Sequence, residues 1–265
     1  MSIITLTTDF GLDNWFVGTM KGVIKSINPD AEVVDITHAV PPHSIPEAAF
    51  ILQNSYSYFP PGTIHTVVVD PGVGSTRNAI VVKSPRYYFV GPDNGVLSYA
   101  IDSEGIEVIV KIENEKYHLT PTSKTFHGRD VFAPVSAYLS VGVEPEEFGP
   151  PLKEIIRLTP SLPRKISERE IVGHILCVDT FGNLITDVTT ALMDELLKRS
   201  KVRRLRILIR DREIVRMCPT YSQGNENELI ALIGSSGHLE ISINQGRAAD
   251  VLGMSAGGKF ILKVL

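Results

Sequence analysis

The apolar positions of the first 140 residues alternate between a strand-like and a helix-like period. Ile3 to Leu6 is a short apolar run that reads as a strand, left by the loop Thr7-Thr8-Asp9-Phe10-Gly11. Phe16, Met20, Val23, Ile24 and Ile27 then recur at helical spacing, and Asn28-Pro29 stops that helix. Glu32 to Ile36 predicts a second strand. A loop with two prolines follows, and Ile45, Ala48, Ala49, Leu52, Tyr56 and Phe59 predict a second helix, ended by Pro60-Pro61-Gly62. The third strand runs through Val67-Val68-Val69 and ends in Asp70. This β-α-β-α-β order predicts a mostly parallel sheet with right-handed crossovers.

Past Asp70 the pattern shortens. Ala79 to Lys83 and Tyr87 to Val90 read as a strand pair around Pro85-Arg86. The loop Gly91-Pro92-Asp93-Asn94-Gly95 leads to a short helix from about Val96 to Ile101, and Ile106 to Ile112 is a further strand. Phe126-His127-Gly128-Arg129-Asp130 precedes a helix with Phe132, Val135, Tyr138 and Leu139 on one face, for which Asp130 is the expected N-cap. Pro145, Pro150, Pro151, Pro160 and Pro163 then fall in a stretch without helical period, a linker signal that places a boundary near residue 165. The expected domains are 1–165 and 166–265. Seven short apolar runs separated by turn residues fill the second, interrupted by one helix from about Thr190 to Arg199. That pattern predicts a small β-barrel or sandwich beside the α/β domain.

Bulk properties remove several function classes. The net charge of -4 gives no drive toward nucleic acid or an anionic membrane. The basic run from Lys198 to Arg216 has no interleaved aromatics and reads as a solvated barrel face. The N-terminus lacks a basic leader, and no apolar run approaches the ~18 residues of a membrane span, so the cytoplasm is the expected compartment. Cys177 and Cys218 each sit within or beside apolar runs, outside any CxxC pair, and read as reduced and structural.

Candidate chemistry centres on Asp70. A buried strand ending in a carboxylate at a glycine loop is how an open α/β sheet presents reactive groups at its carboxyl edge. The loop Pro71-Gly72-Val73-Gly74 fails as a phosphate cradle. It lacks GxxxxGK(S/T), Arg77 stands where a dinucleotide fingerprint needs glycine, and a strand follows rather than a helix. Asp9, at the end of the first strand, belongs at the same edge, either as a chelator of a ribose diol or as a solvated turn residue. His127 opens a helix, where imidazolium is disfavoured, and either orients a water or is a surface loop histidine. His38 and His43 share a proline-rich loop with no helical HxxxH and no nearby cysteine, which argues against a metal. Val178-Asp179-Thr180-Phe181-Gly182-Asn183 and Gly234-Ser235-Ser236-Gly237 read as turns, the latter able to hold a carboxylate on its hydroxyl and N–H groups.

Taken together, TTDFG at Thr7 to Gly11, VVVDPGVGSTR at Val67 to Arg77, GPDNG at Gly91 to Gly95, FHGRD at Phe126 to Asp130, VDTFGN at Val178 to Asn183 and GSSG at Gly234 to Gly237 resemble the S-adenosylmethionine hydrolases (adenosine-forming), relatives of the adenosyl fluorinase and chlorinase. The motifs span nearly the whole chain, in order. The resemblance implies an N-terminal α/β domain, a C-terminal β-barrel, and a homotrimer with its sites at subunit interfaces. It implies a water held by Asp70, Arg77 and His127, and ribose hydroxyls on Asp9. Asp179 would meet the methionine ammonium, Phe181 and Asn183 the adenine, and Ser235 the methionine carboxylate. S-adenosyl-L-methionine is then the substrate, adenosine and methionine the products, and neither metal nor cofactor is expected. One departure stands out: the halogenases follow the matching serine with arginine, and this chain has Ser236.

The chemistry agrees. A sulfonium leaves as a neutral thioether and needs no general acid, only an oxygen nucleophile in line with C5′ and a ribose held still. Two further readings stay open. A halide-dependent adenosyl transferase is disfavoured, because the halogenases carry Tyr at the position of Asp70 and Ser or Gly at that of His127, and a carboxylate would repel halide. A non-catalytic sensor of adenosyl ligands gives no reason for the Asp-Arg-His set.

Overall fold

The apolar runs that open the chain become neighbouring parallel strands: β1 (Ile3–Thr8), β2 (Glu32–Thr37) and β3 (Ile64–Val68), joined through α1 (Phe16–Ile27) and α2 (Ile45–Gln53). The structure is a computed structural model that describes residues 2–198 and 204–265. It divides into two units, one up to Leu158 and one from Thr159 to Leu265. In the first, Val68 packs with Leu6 and Phe132 on one face of the sheet, while Val67 and Val69 pack with Leu52, Val82 and Phe89 on the other. A strand covered on both faces is why this run reads as continuous hydrophobe. The second helix ends earlier than its apolar period suggests. Ser55 Oγ donates to the carbonyls of Ile51 (2.8 Å) and Leu52 (3.2 Å), and the chain continues as one 3₁₀ turn, Tyr56–Tyr58.

The remaining elements of this unit are β4 (Ala79–Lys83), β5 (Tyr88–Pro92), α3 (Ser98–Glu104), β6 (Val108–Lys111) and α4 (Ala133–Ser140). The strand order is β2-β1-β3-β5-β4-β6. β5 lies parallel to β3, but β4 is antiparallel to both β5 and β6, so the expected mostly parallel sheet is a mixed one. The tight connection at Pro85-Arg86, closed by Ser84 N–H to the Tyr87 carbonyl (2.9 Å), leaves no room for a crossover and forces antiparallel pairing. The proline-rich stretch runs along β6: Lys111 N–H donates to the Pro150 carbonyl (2.9 Å) and Leu152 N–H to the Ile109 carbonyl (2.9 Å). Asp130 is not a helix cap. It lies inside a turn of π-helix, Gly128–Phe132, fully buried, and accepts from Ser123 N (2.8 Å) and Arg129 Nε (2.6 Å). Its carboxylate therefore ties down the preceding loop instead of the first N–H groups of α4.

The second unit contains β7 (Arg164–Ser167), β8 (Glu170–Val178), β9 (Leu184–Thr189), α5 (Thr190–Lys198), β10 (Leu205–Ile209), β11 (Arg212–Ile214), β12 (Leu229–Ile233), β13 (His238–Ile243), α6 (Ala248–Leu252) and β14 (Lys259–Val264). The order β11-β10-β14-β8-β9-β13-β12 is antiparallel throughout, with β7 added on β8. A bridge from Met217, just past β11, to Ala231 in β12 brings the two ends together, giving a nearly closed, barrel-like sheet. The expected end of α5 at Arg199 and part of the basic run fall outside the described residues. Within them, Arg206 pairs with Glu213 and Arg216 with Glu228 on the surface. Cys177 and Cys218 are buried and form no disulfide. Among the described residues no helix is long and apolar enough to cross a membrane.

Candidate active site

Thr8 and Val68 stand opposite each other at the carboxyl ends of β1 and β3, so Asp9 and Asp70 leave the sheet at the same edge. The neighbouring strand fixes where Asp70 emerges. Asn94 Nδ2 donates to the Val69 carbonyl (2.9 Å), and at Gly91 any Cβ would come within 2.7 Å of the Val67 carbonyl. The loop after Asp70 is two consecutive turns, Val73 N–H to the Asp70 carbonyl (3.2 Å) and Ser75 N–H to the Gly72 carbonyl (3.1 Å). Gly74 sits at φ +75°, where a Cβ would overlap the Lys124 carbonyl. These turns fold Arg77 back onto Asp70.

Arg77 grips Asp70 as a fork: Nε donates to Oδ1 at 2.9 Å and Nη2 donates to Oδ2. The two side chains are only 10% and 5% exposed, so little water screens the pair. Nη2 also lies 2.9 Å from His127 Nδ1. Guanidinium can only donate, so His127 Nδ1 is the acceptor, and its proton sits on Nε2 in the neutral ring. Burial, reinforced by the Arg77 charge, pushes His127 below the ordinary histidine range and holds that neutral form. The guanidinium lies 5.4 Å from the centroid of Phe132. His127 is placed by Gly128, whose Cα faces Phe10, Phe126 and Met20 at distances that admit no larger residue without displacement. Arg77 and His127 further line a cavity of about 360 Å³ together with Thr122 and His118.

Asp9 accepts the His43 N–H at Oδ2 (2.9 Å), and its other oxygen takes no hydrogen bond from a described residue. His43 itself is exposed and adopts φ 66° to make this contact.

In the second unit, Asp179, Phe181, Asn183 and Ser235 line one cleft of about 770 Å³. Asp179 organises the turn that leaves β8: Oδ1 accepts from Phe181 N (2.9 Å) and Asn183 N (2.8 Å), and Oδ2 from Asn183 Nδ2 (2.8 Å). Phe181 is thrust out at 75% exposure, an aromatic face directed at the cleft rather than at the core. Ile185 and Ile243 supply further apolar wall. Two lining residues escaped the motif reading. Glu240, in β13, is 5% exposed, and Tyr221 donates its hydroxyl to Glu240 Oε2 at 2.6 Å. The signal in the sequence was a single acid in the alternating run Leu239 to Ile243, shortly after the GSSG turn.

A carboxylate able to accept a proton, aimed by a guanidinium and flanked by a neutral imidazole, is the equipment of a protein that activates water on a small molecule. Comparison with known proteins places that class more closely. Residues 4–149 match the SAM hydroxide adenosyltransferase N-terminal domain and residues 173–261 the corresponding C-terminal domain. The chain belongs to the SAM hydroxide adenosyltransferase family. It is 35% identical to the (R)-S-adenosyl-L-methionine hydrolase of Salinispora tropica, over 97% of this chain and 95% of that one. It is 36% identical to the protein of the same name in Methanocaldococcus jannaschii, over 95% and 92%. A solved structure of an uncharacterized conserved protein from Thermotoga maritima superposes with a TM-score of 0.89 at 36% identity, covering both chains fully. Proteins named fluorinase match at a lower 25–26%.

Proposed function

We propose that this protein hydrolyses S-adenosyl-L-methionine to adenosine and L-methionine. A water held by Asp70 and His127 attacks ribose C5′. The new bond is O–C5′, the bond that breaks is C5′–S, and its electron pair neutralises the sulfonium as methionine leaves. The proton lost by the water passes to Asp70 and then to solvent. Arg77 fixes the carboxylate's direction, and neutral His127 offers its Nε2–H. Asp9, with one oxygen uncommitted, receives the ribose hydroxyls. Phe181 and Asn183 surround the adenine, Asp179 lies at the methionine ammonium, and Ser235 meets the methionine carboxylate. The reaction calls on no metal or cofactor, because the leaving group departs neutral. The assembly is a cytoplasmic homotrimer whose sites are completed across subunits.

The observation that carries this reading is the Arg77 fork on Asp70 with His127 on the same guanidinium nitrogen. It gives a water two partners and presents a halide with a nearby anion, which supports hydrolysis over halogenation. The relatives named as hydrolases support the same substrate. The test is incubation of purified protein with S-adenosylmethionine in ¹⁸O-water, with and without chloride, and mass spectrometry of the products. Adenosine carrying one ¹⁸O is expected in both. Chlorinated adenosine would install the halogenase reading, and intact substrate after prolonged incubation at micromolar protein would leave only a sensor.

A further inference from the structure

His38 takes no part in the water-holding set, yet its side chain is only 3% exposed and meets a polar group at each ring nitrogen. Nε2 lies 3.1 Å from Asp35 Oδ1, and Nδ1 lies 2.8 Å from Thr8 Oγ1. A bare ring nitrogen facing a carboxylate would set two acceptors against each other, so a proton belongs on Nε2. In the neutral ring Nδ1 is then an acceptor, and the Thr8 hydroxyl is its donor. Asp35 is itself anchored, because Lys21 Nζ donates to its Oδ2 at 2.6 Å. Burial raises the Asp35 carboxyl, but Lys21 and His38 outweigh it and hold the group below its ordinary range, ionised at neutral pH.

The other end of this chain of contacts reaches Asp9. With its hydrogen directed at His38, Thr8 Oγ1 accepts the Phe10 N–H (3.2 Å), which closes a turn around the residue between them, Asp9. The backbone ties the same segment down twice more. Gly11 N–H donates to the His38 carbonyl (2.8 Å), and Val40 N–H donates to the Thr8 carbonyl (3.4 Å). His43 N–H then holds Asp9 Oδ2. The stretch from Asp35 to His43 therefore places the Asp9 carboxylate. An apolar side chain would fill the space of His38 without the cost of burying an imidazole. It could not give the Thr8 hydroxyl a single direction.

We propose that His38 is a positioning residue for the ribose contact: set by Asp35, it orients the Thr8 hydroxyl and so fixes the turn that presents Asp9. The assignment rests on the adenosyl-substrate reading above and adds to it a residue that acts without touching the ligand.

Adenosine, the expected product, and 2′,3′-dideoxyadenosine differ only in the ribose hydroxyls, and calorimetry on the full-length chain compares them. Wild-type protein is expected to bind adenosine about 10-fold tighter. Thr8→Val and His38→Phe are each expected to weaken adenosine about 3- to 10-fold and leave 2′,3′-dideoxyadenosine unchanged. His38→Asn, whose amide oxygen can stand where Nδ1 stands, is expected to keep most of the adenosine affinity that H38F loses. In an Asp9→Ala background H38F is expected to cost adenosine nothing further, because its route to the ribose is gone. Equal weakening of both ligands by T8V and H38F would make the network a general support of the fold and overturn the proposal. No change in either ligand, or a loss additive with D9A, would overturn it too. T8V alters one hydroxyl and keeps the test decisive where H38F does not fold. Wild-type protein that binds both ligands equally would overturn the Asp9–ribose contact, and with it the role of His38. Wild-type protein that binds neither would overturn the adenosyl reading itself, a result distinct from an unselective T8V.

Discussion

Arg77 is the residue on which the first unit's site depends, because one nitrogen serves two partners of different charge. Its charge disfavours the imidazolium form of His127, and the Asp70 charge favours it. Removing the guanidinium therefore has a predicted sign. In Arg77→Gln the cationic influence is gone while Asp70 remains, so the His127 pKa should rise toward or past the ordinary value of about 6.5. In the wild type it lies below that value. NMR titration of the imidazole carbon-bound protons would read this directly, and an unchanged or lowered His127 pKa in the variant would show that Arg77 does not govern it. The motif strings exposed Asp70, Arg77 and His127 because all three lie within three residues of a glycine in a tight backbone position. Glu240 was not legible in the same way. Its surroundings come from Gly234 and Tyr221, brought to it by a hairpin and a separate loop, and one acid in a short strand does not announce such neighbours.

Strands carry their own consequences, and β3 is the informative one. His65 lies fully buried within it, its Nδ1 2.9 Å from Thr5 Oγ1 and its ring among Tyr56, Phe59, Tyr87 and Phe89. Burial pulls its pKa down to about 3. The unfolded chain titrates near 6.5 and binds the proton first, so this group's contribution to stability is complete above about pH 6.5. It is lost as pH falls toward 3, at about 1.4 kcal/mol per pH unit. Urea midpoints of wild type and His65→Phe between pH 7 and 4.5 should diverge, the wild type losing roughly 2–3 kcal/mol more. Parallel pH slopes would show that His65 is charged or hydrated in the fold. At this scale the sequence reading succeeds where periodicity alone decides: α1 begins at Phe16 and β4 spans Ala79–Lys83, as the apolar spacing indicates. It falters where a local competitor intervenes. Ser55 bonding back to the helix shortens α2, a tight connection reverses β4, and the pairing of buried Asp130 with Arg129 turns an expected cap into a loop anchor. None of these three is a property of hydrophobic pattern.

For the whole molecule, the motif residues divide so that Asp9, Asp70, Arg77 and His127 belong to the first unit, and Asp179, Phe181, Asn183 and Ser235 to the second. A substrate touching both sets needs one unit of each kind, and the proposed trimer draws them from different subunits. In a closed ring each site then pairs the first unit of one chain with the second unit of the next. The arithmetic of mixing tests this. Asp70→Ala disables the water-holding set and leaves the second unit intact. Asp179→Ala disables the turn at the cleft and leaves the first unit intact. Either homotrimer should be inactive. Co-expressed in equal amounts with different tags and purified through both, the mixed population should regain roughly a third of wild-type turnover per site, because every mixed ring of three has one junction at which an intact half from each variant meets. If both halves of each site came from the same chain, every site would contain a disabled half and no mixture would recover activity. Recovery that appears on mixing and disappears on dilution below the assembly's dissociation constant would place the completed site at the subunit interface.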